Sequence, residues 1–112
     1  MYVREGDRRR CVVSLESTHA LRWIVPEGVL LPLGRGSAGR VLADKGPRSA
    51  ASVEEREAGV ASVSAAVRDR QGTTIAAVSI SGPVERLTRT PMDRFGAQVQ
   101  RAAADIAAAL PR

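Results

Sequence analysis

Two alternating runs joined by a short turn constrain this chain more than any other feature. From Val60 to Val67, Ala61, Val63, Ala65 and Val67 share one face, and Ser62, Ser64 and Ala66 share the other. After Asp69-Arg70-Gln71-Gly72 the pattern resumes through Ser81. Ala76, Val78 and Ile80 face one way, and Ile75, Ala77, Ser79 and Ser81 the other. Strict period two marks half-buried strands, and the turn joins them as an antiparallel hairpin. A loop that pairs Arg68 with Thr73 sets Ser62 opposite Ser79, Ser64 opposite Ala77 and Val63 opposite Val78. One face, of Val, Ala and Ile, needs a helix to cover it. The other offers hydroxyls that both donate and accept, with small neighbours that leave space. Convergent polar groups in a concavity are the usual form of a ligand pocket. The plainer alternative is a solvated sheet face, but that face lacks the Lys and Glu usual on exposed strands.

The C-terminal segment supplies the cover. Thr90 is an N-cap, Pro91 the first helical residue and Asp93 the third. Phe95, Val99, Ile106 and Leu110, with Ala102 and Ala103 between them, form one apolar stripe that ends at Pro111. Upstream, Tyr2-Val3-Arg4 leads through Glu5-Gly6-Asp7 into the run from Cys11 to Glu16. This reads as a hairpin with Arg8, Arg9 and Arg10 at its tip. Leu21 to Val25 reads as a third strand stopped by Pro26, and Val29 to Leu33 as an apolar run broken by Pro32. Gly34 to Gly39 feeds a short helix through Val41 and Leu42, which ends near Lys45-Gly46-Pro47. Ser49 to Glu57 is polar and acidic and reads as a connection. The expected class is a single small α/β domain of the α+β kind, in keeping with 112 residues.

Charge raises one functional class that placement then weakens. The chain carries 17 Lys plus Arg against 12 Asp plus Glu, a net +5, which suits nucleic acid or an acidic membrane surface. Its basic residues are scattered over turns and helix faces. Tyr2, Trp23 and Phe95 are too few aromatics for a base-stacking platform. The single cysteine, Cys11, excludes an internal disulfide and fits a reducing cytoplasm. No apolar run reaches membrane-spanning length and no leader is visible, so a cytoplasmic protein without a membrane partner is expected.

No cofactor, metal or catalytic set is expected either. Gly34-Arg35-Gly36-Ser37-Ala38-Gly39 matches the dinucleotide fingerprint, with Glu54 and Glu55 downstream. Against NAD, Ser49 to Glu57 is too polar for a buried parallel strand, and no room remains for a doubly wound sheet. His19 is the only histidine and has no metal-spaced partner. Cys11 lies among Val12, Val13 and Leu15 as a small core residue. Glu54, Glu55 and Glu57 read as solvated charges, and Arg8 to Arg10 as a solvated turn. The chain is therefore not expected to be an enzyme.

Gly59-Val60-Ala61-Ser62-Val63-Ser64-Ala65-Ala66-Val67-Arg68-Asp69, then Gly72 and Ala76 through Pro83, resembles the signature of the IclR family of transcription regulators. The likeness lies in their C-terminal effector-binding domain. Arg40-Val41-Leu42-Ala43 after the glycine turn, Glu54-Glu55-Arg56-Glu57-Ala58-Gly59, Val3-Arg4-Glu5-Gly6 and Leu15-Glu16-Ser17 extend it over nearly the whole chain. Ala58 and Ala66 stand where the family has prolines, and Ser52 where relatives often have Asp. Only Asp44 to Val53 separate the Leu42-Ala43 segment from the acidic motif, where family members have several tens of residues.

The resemblance implies a GAF/profilin-like domain, a curved antiparallel sheet flanked by helices, that assembles as a homo-oligomer, a dimer or tetramer. It implies a small-molecule effector, an organic or aromatic acid, whose binding alters how an N-terminal winged helix-turn-helix domain engages DNA. That domain is absent from residues 1–112, which are read as an incomplete effector-binding domain. Carried over by position, the pocket comprises Trp23, Ser37, Ala38, Ser52, Val60, Ser62 and Ser79. Ser62, Ser79 and the amides of Ser37 and Ala38 would hold the polar end, and Trp23 and Val60 the apolar part. The rival reading is a non-enzymatic dimerisation module whose serine face holds no pocket.

Overall fold

A computed structural model of the chain describes residues 1–15, 25–55 and 57–110. Among the described residues six strands form one sheet: β1 (Tyr2–Glu5), β2 (Arg8–Cys11), β3 (Leu30–Pro32), β4 (Ser49–Val53), β5 (Val60–Arg68) and β6 (Thr74–Pro83). Three helices accompany it: α1 (Ser37–Leu42), α2 (Val84–Leu87) and α3 (Pro91–Ala109). The strand order is β3-β2-β1-β6-β5-β4, and every pairing is antiparallel. The class is α+β, a curled antiparallel sheet with helices on it.

The hairpin faces follow the alternation, and each face has its own core. Val63, Ala65, Val67 and Ala76 pack against Val99 and Ala103 of α3, joined by the partly buried Val78, Ile80, Phe95 and Ile106. On the opposite face Tyr2, Cys11, Ala66 and Ala77 pack against Ala38, Val41 and Leu42 around α1. Pro91 opens α3 at its first position, and the Thr90 carbonyl accepts from the amides of Asp93 and Arg94. Thr90 makes no side-chain capping bond, and Leu110 lies past the last turn, 39% exposed.

The expected hairpin register is displaced by two residues. Ser62 pairs with Ser81, Val63 with Ile80 and Ser64 with Ser79. The Asp69 carboxylate accepts from the amides of Gln71 and Thr73, each at 2.9 Å, while Asp69 N–H donates to the Thr73 carbonyl. That draws Thr73 into the turn, so Arg68 meets Thr74. An irregularity between Val67 and Arg68 adds the second residue, and Val67 meets Ala76. An even shift leaves every side chain on its expected face.

Other expectations are corrected by strand pairing. Arg8, Arg9 and Arg10 do not form a hairpin tip; they are the body of β2, paired through Arg4↔Arg9 and Val3↔Arg10. The second strand ends at Cys11 rather than running on to Glu16. Ser49–Val53, read as a connection, is edge strand β4, paired with β5 from Ser49↔Ala65 to Val53↔Ala61. Small residues serve there because α1 and α3 both reach the edge. The short helix α2 had no sequence signal. The expected strand from Leu21 and the lone His19 lie outside the described residues, apart from Val25.

Candidate functional site

The serine face is closed by a chain of hydroxyl contacts. Ser62 and Ser52 are cross-strand partners on β5 and β4, and their Oγ atoms are 2.7 Å apart. Ser64 and Ser79 are partners on β5 and β6, at 2.6 Å. Ser37, the first residue of α1, joins the two pairs, its Oγ lying 2.7 Å from both Ser62 and Ser64. Ser37 and Ser64 are 1% and 0% exposed. Ser62 and Ser64 are two apart on β5, so both project toward the helix, and a single hydroxyl between them touches each.

Glycines bring α1 this close. Gly36 has φ +87, a conformation L side chains rarely adopt, and a Cβ there would lie 3.2 Å from Arg9 Nη2. A Cβ on Gly39 would overlap the Leu33 carbonyl. These glycines serve backbone packing against Arg9 and Leu33. The strand that follows, β4, runs antiparallel at the sheet edge, so the described residues form no parallel βαβ unit to seat a dinucleotide.

Arg9 is the residue that sequence reasoning missed. It is 2% exposed, with its guanidinium carbon 4.9 Å from the Tyr2 ring centroid, and it lines the same cleft as the serines. Period two held the signal: Arg9 shares a strand face with Cys11, and Cys11 was already placed in the core. A cation over an aromatic face retains favourable electrostatics after desolvation.

Ser37, Ala38, Ser52, Val60, Ser62 and Ser79 therefore all line one cleft, together with Tyr2, Arg9, Gly36, Glu57 and Ser81. Trp23, the remaining expected pocket residue, lies outside the described residues. Ser62 and Ser79 are not direct partners; Ser37 and Ser64 stand between them. The cleft encloses about 20 Å³, room for roughly one water. Beyond Tyr2, Ser79 and Ser81 it adjoins a groove of about 680 Å³, whose wall includes Leu15, Val25 and Phe95.

The acidic segment after β4 is tethered beside the cleft. Glu55 pairs with Arg40 of α1 and accepts from the Gly36 amide at 3.4 Å. Glu54 accepts from the Gly59 amide at 3.1 Å and lies 3.6 Å from Arg89. Both carboxylates are exposed, each engaged by a different cation. They do not form a paired-carboxylate site. Cys11 is 2% exposed, with its thiol toward the carbonyls of Val13 and Val25. Among the described residues no cluster of His, Cys, Asp and Glu could hold a metal, and no helix is long and apolar enough to cross a membrane.

Residues 48–108 match the family model for the C-terminal region of the bacterial transcriptional regulator IclR. The chain belongs to the IclR family. Among solved structures it is similar to an IclR-family transcriptional regulator from a Rhodococcus species. The TM-score is 0.80 at 28% identity, over 96% of this chain and 54% of that one. The chain thus spans about half the length of that relative. It is also similar to the C-terminal domain of a transcriptional regulator from Vibrio cholerae, with TM-score 0.77 and 26% identity, covering 92% of this chain and 81% of that one. A third likeness, of fold alone, is to the inducer-binding domain of the PobR transcription factor from Acinetobacter, solved as a double mutant with 3-hydroxybenzoic acid. There the TM-score is 0.74 at 18% identity, over 94% of this chain and 83% of that one. A comparison with curated proteins finds no match. The IclR relatives are transcriptional regulators, and the IclR match covers β4 through α3, the segment that carries four of the five linked serines.

Proposed function

We propose that this IclR-family chain is a ligand-sensing regulatory domain that binds a small organic acid, and that its binding adjusts how an attached helix-turn-helix domain engages DNA. The observation that carries the reading is one cleft lined both by a buried cation, Arg9, and by Ser37, Ser52, Ser62, Ser79 and Ser81, with Ala38 at the start of α1. Arg9 supplies the charge a carboxylate seeks, and Ser52, Ser62, Ser79 and Ser81 supply hydroxyls around it. The rest of the ligand extends past Ser79 and Ser81 into the adjoining groove, while Val60 covers it within the cleft. The inducer-bound PobR domain, of the same fold, supports this reading. Working as a homo-oligomer, the protein would transmit binding only through the ligand's different affinities for two arrangements of the assembly.

The cleft's volume favours a second reading, an interaction module in which the serines simply fasten α1 to the sheet. One titration separates the two. Small carboxylates are screened by thermal shift against wild type and Ser62→Val. A ligand present at a hundred times its dissociation constant stabilises by about 2.7 kcal/mol, and the variant should lose most of that gain. Equal stabilisation of both proteins by every hit would remove Ser62 from the site, and no hit at all would favour the interaction module.

A further inference from the structure

The five linked hydroxyls impose a proton count on the cleft. Each serine has one O–H to give and two lone pairs to receive. Ser52, Ser62, Ser37, Ser64 and Ser79 form an unbranched chain with contacts of 2.6 and 2.7 Å. Four contacts consume four protons, so one of the five is left over. If it remained on Ser37 or Ser64, both neighbours would have to donate to that serine. Its own O–H would then lie at 1% or 0% exposure with no chain acceptor, a costly arrangement. The spare proton therefore emerges at Ser52, Ser62 or Ser79, the members that line the cleft alongside Ser37. While one of these three donates into the cleft, the other two show it only lone pairs.

We propose that this count makes the cleft select small hydroxy acids over the same acids without the hydroxyl, a specificity that rests on the effector-binding reading above. A bare carboxylate has only acceptors. Set among the chain serines it takes the one spare proton and then faces the lone pairs of the others; set against Arg9 and Ser81 it leaves that spare proton unanswered. A ligand hydroxyl accepts the spare proton and returns its own to a neighbouring serine, as a water would. The volume of about 20 Å³ suits one such group. The ligand's carboxylate then lies toward Arg9 and toward Ser81, whose hydroxyl stands outside the chain. Ser64 becomes a positioning residue: it does not line the cleft, yet it ties Ser79 into the chain's single proton count. Removing it splits the chain into Ser52–Ser62–Ser37 and a solitary Ser79, and two protons then reach the cleft instead of one.

Calorimetric titration of wild type and Ser64→Ala with two matched pairs tests this: glycolate against acetate, and hydroxybenzoate against benzoate. In wild type the hydroxy acid of at least one pair binds about tenfold or more tightly than its partner. In Ser64→Ala that ratio falls to about threefold or less, chiefly because the plain acid gains affinity from the second donor. A merely structural role for Ser64 would weaken both members of a pair alike. Equal affinities within both pairs in wild type, or an unchanged ratio in the variant, overturn the proton count and leave effector binding standing. Failure of all four acids to bind overturns both. Ser64→Cys, whose thiol is a weak donor and acceptor, breaks the chain with little change of volume and replaces the alanine variant if that does not fold.

Discussion

Under α3 the β5–β6 hairpin presents Val63, Ala65, Val67 and Ala76; under α1 the same two strands present Ser62, Ser64 and Ser79. Both faces are closed by a helix and both reach near-zero exposure, at Val63 and at Ser64. The forces differ. The α3 face is held by apolar burial, which is non-directional and tolerates modest rearrangement. The α1 face adds hydroxyl contacts of fixed direction to an apolar core of its own, so its state depends on where protons point as well as on what touches. That face adjoins the cleft because directional groups retain unspent donors and acceptors, whereas a packed methyl face has none.

The largest expected effect falls on the α1 face. Gly39→Ala drives a Cβ into the Leu33 carbonyl and lifts α1 from the sheet, with a loss of about 3 kcal/mol or more. Chemical denaturation followed by circular dichroism would show it, and a loss below about 1 kcal/mol would mean the approach is looser than described.

Next comes the paired test across one strand. Val63→Ala removes two buried carbons and leaves a cavity, for about 2–3 kcal/mol. Ser64→Ala, its neighbour on the other face, loses two hydroxyl contacts for about 1–2 kcal/mol. If the serine variant proves the costlier, the hydroxyl chain does more for stability than apolar packing does.

A smaller change is expected at the sheet edge. Arg40 donates to the Ala51 carbonyl at 3.2 Å and pairs with Glu55, which blunts β4 as a pairing edge. Arg40→Ala should cost about 1 kcal/mol or less, since the pair is partly exposed. It should raise self-association measured by sedimentation, and an unchanged sedimentation profile would refute the guarding role.

The smallest effect concerns Glu5, far from either core. Hydrogen bonding from Arg10 holds its carboxyl below the usual value of 4.5. A depressed carboxylate contributes stability that is present above its unfolded pKa and lost as pH falls through the folded one. Glu5→Gln should therefore lower stability slightly near neutrality and flatten the acid side of the profile, the two proteins converging as pH falls below about 4.5. A midpoint shift at neutral pH as large as that of Val63→Ala would contradict this ranking.

Much of the architecture was legible because it is written in periods. Alternation placed Val63 and Ser64 on opposite faces, and the stripe through Val99 and Ala103 identified the helix that covers one of them. Loop and edge decisions were not periodic and were harder to read. Asp69 recruits Thr73 into the turn through its carboxylate, and no count of loop residues reveals such a bond. Ser49–Val53 carries too little hydrophobicity to announce a strand, since its pairing comes from β5. Of the cleft, six described members were nameable from the IclR resemblance, but Arg9 hid in a run of three arginines whose outer two face solvent or surface partners.

By itself the sequence determined β5, β6, α1 and α3, the two-faced hairpin and the family, because side-chain periodicity and motif spacing are local properties. Tertiary structure decided the register, the burial of Arg9 and the joining of Ser37 to Ser62 and Ser64. Those depend on how closely α1 approaches the sheet, which the packing of Gly36 and Gly39 against Arg9 and Leu33 fixes only once the strands are paired.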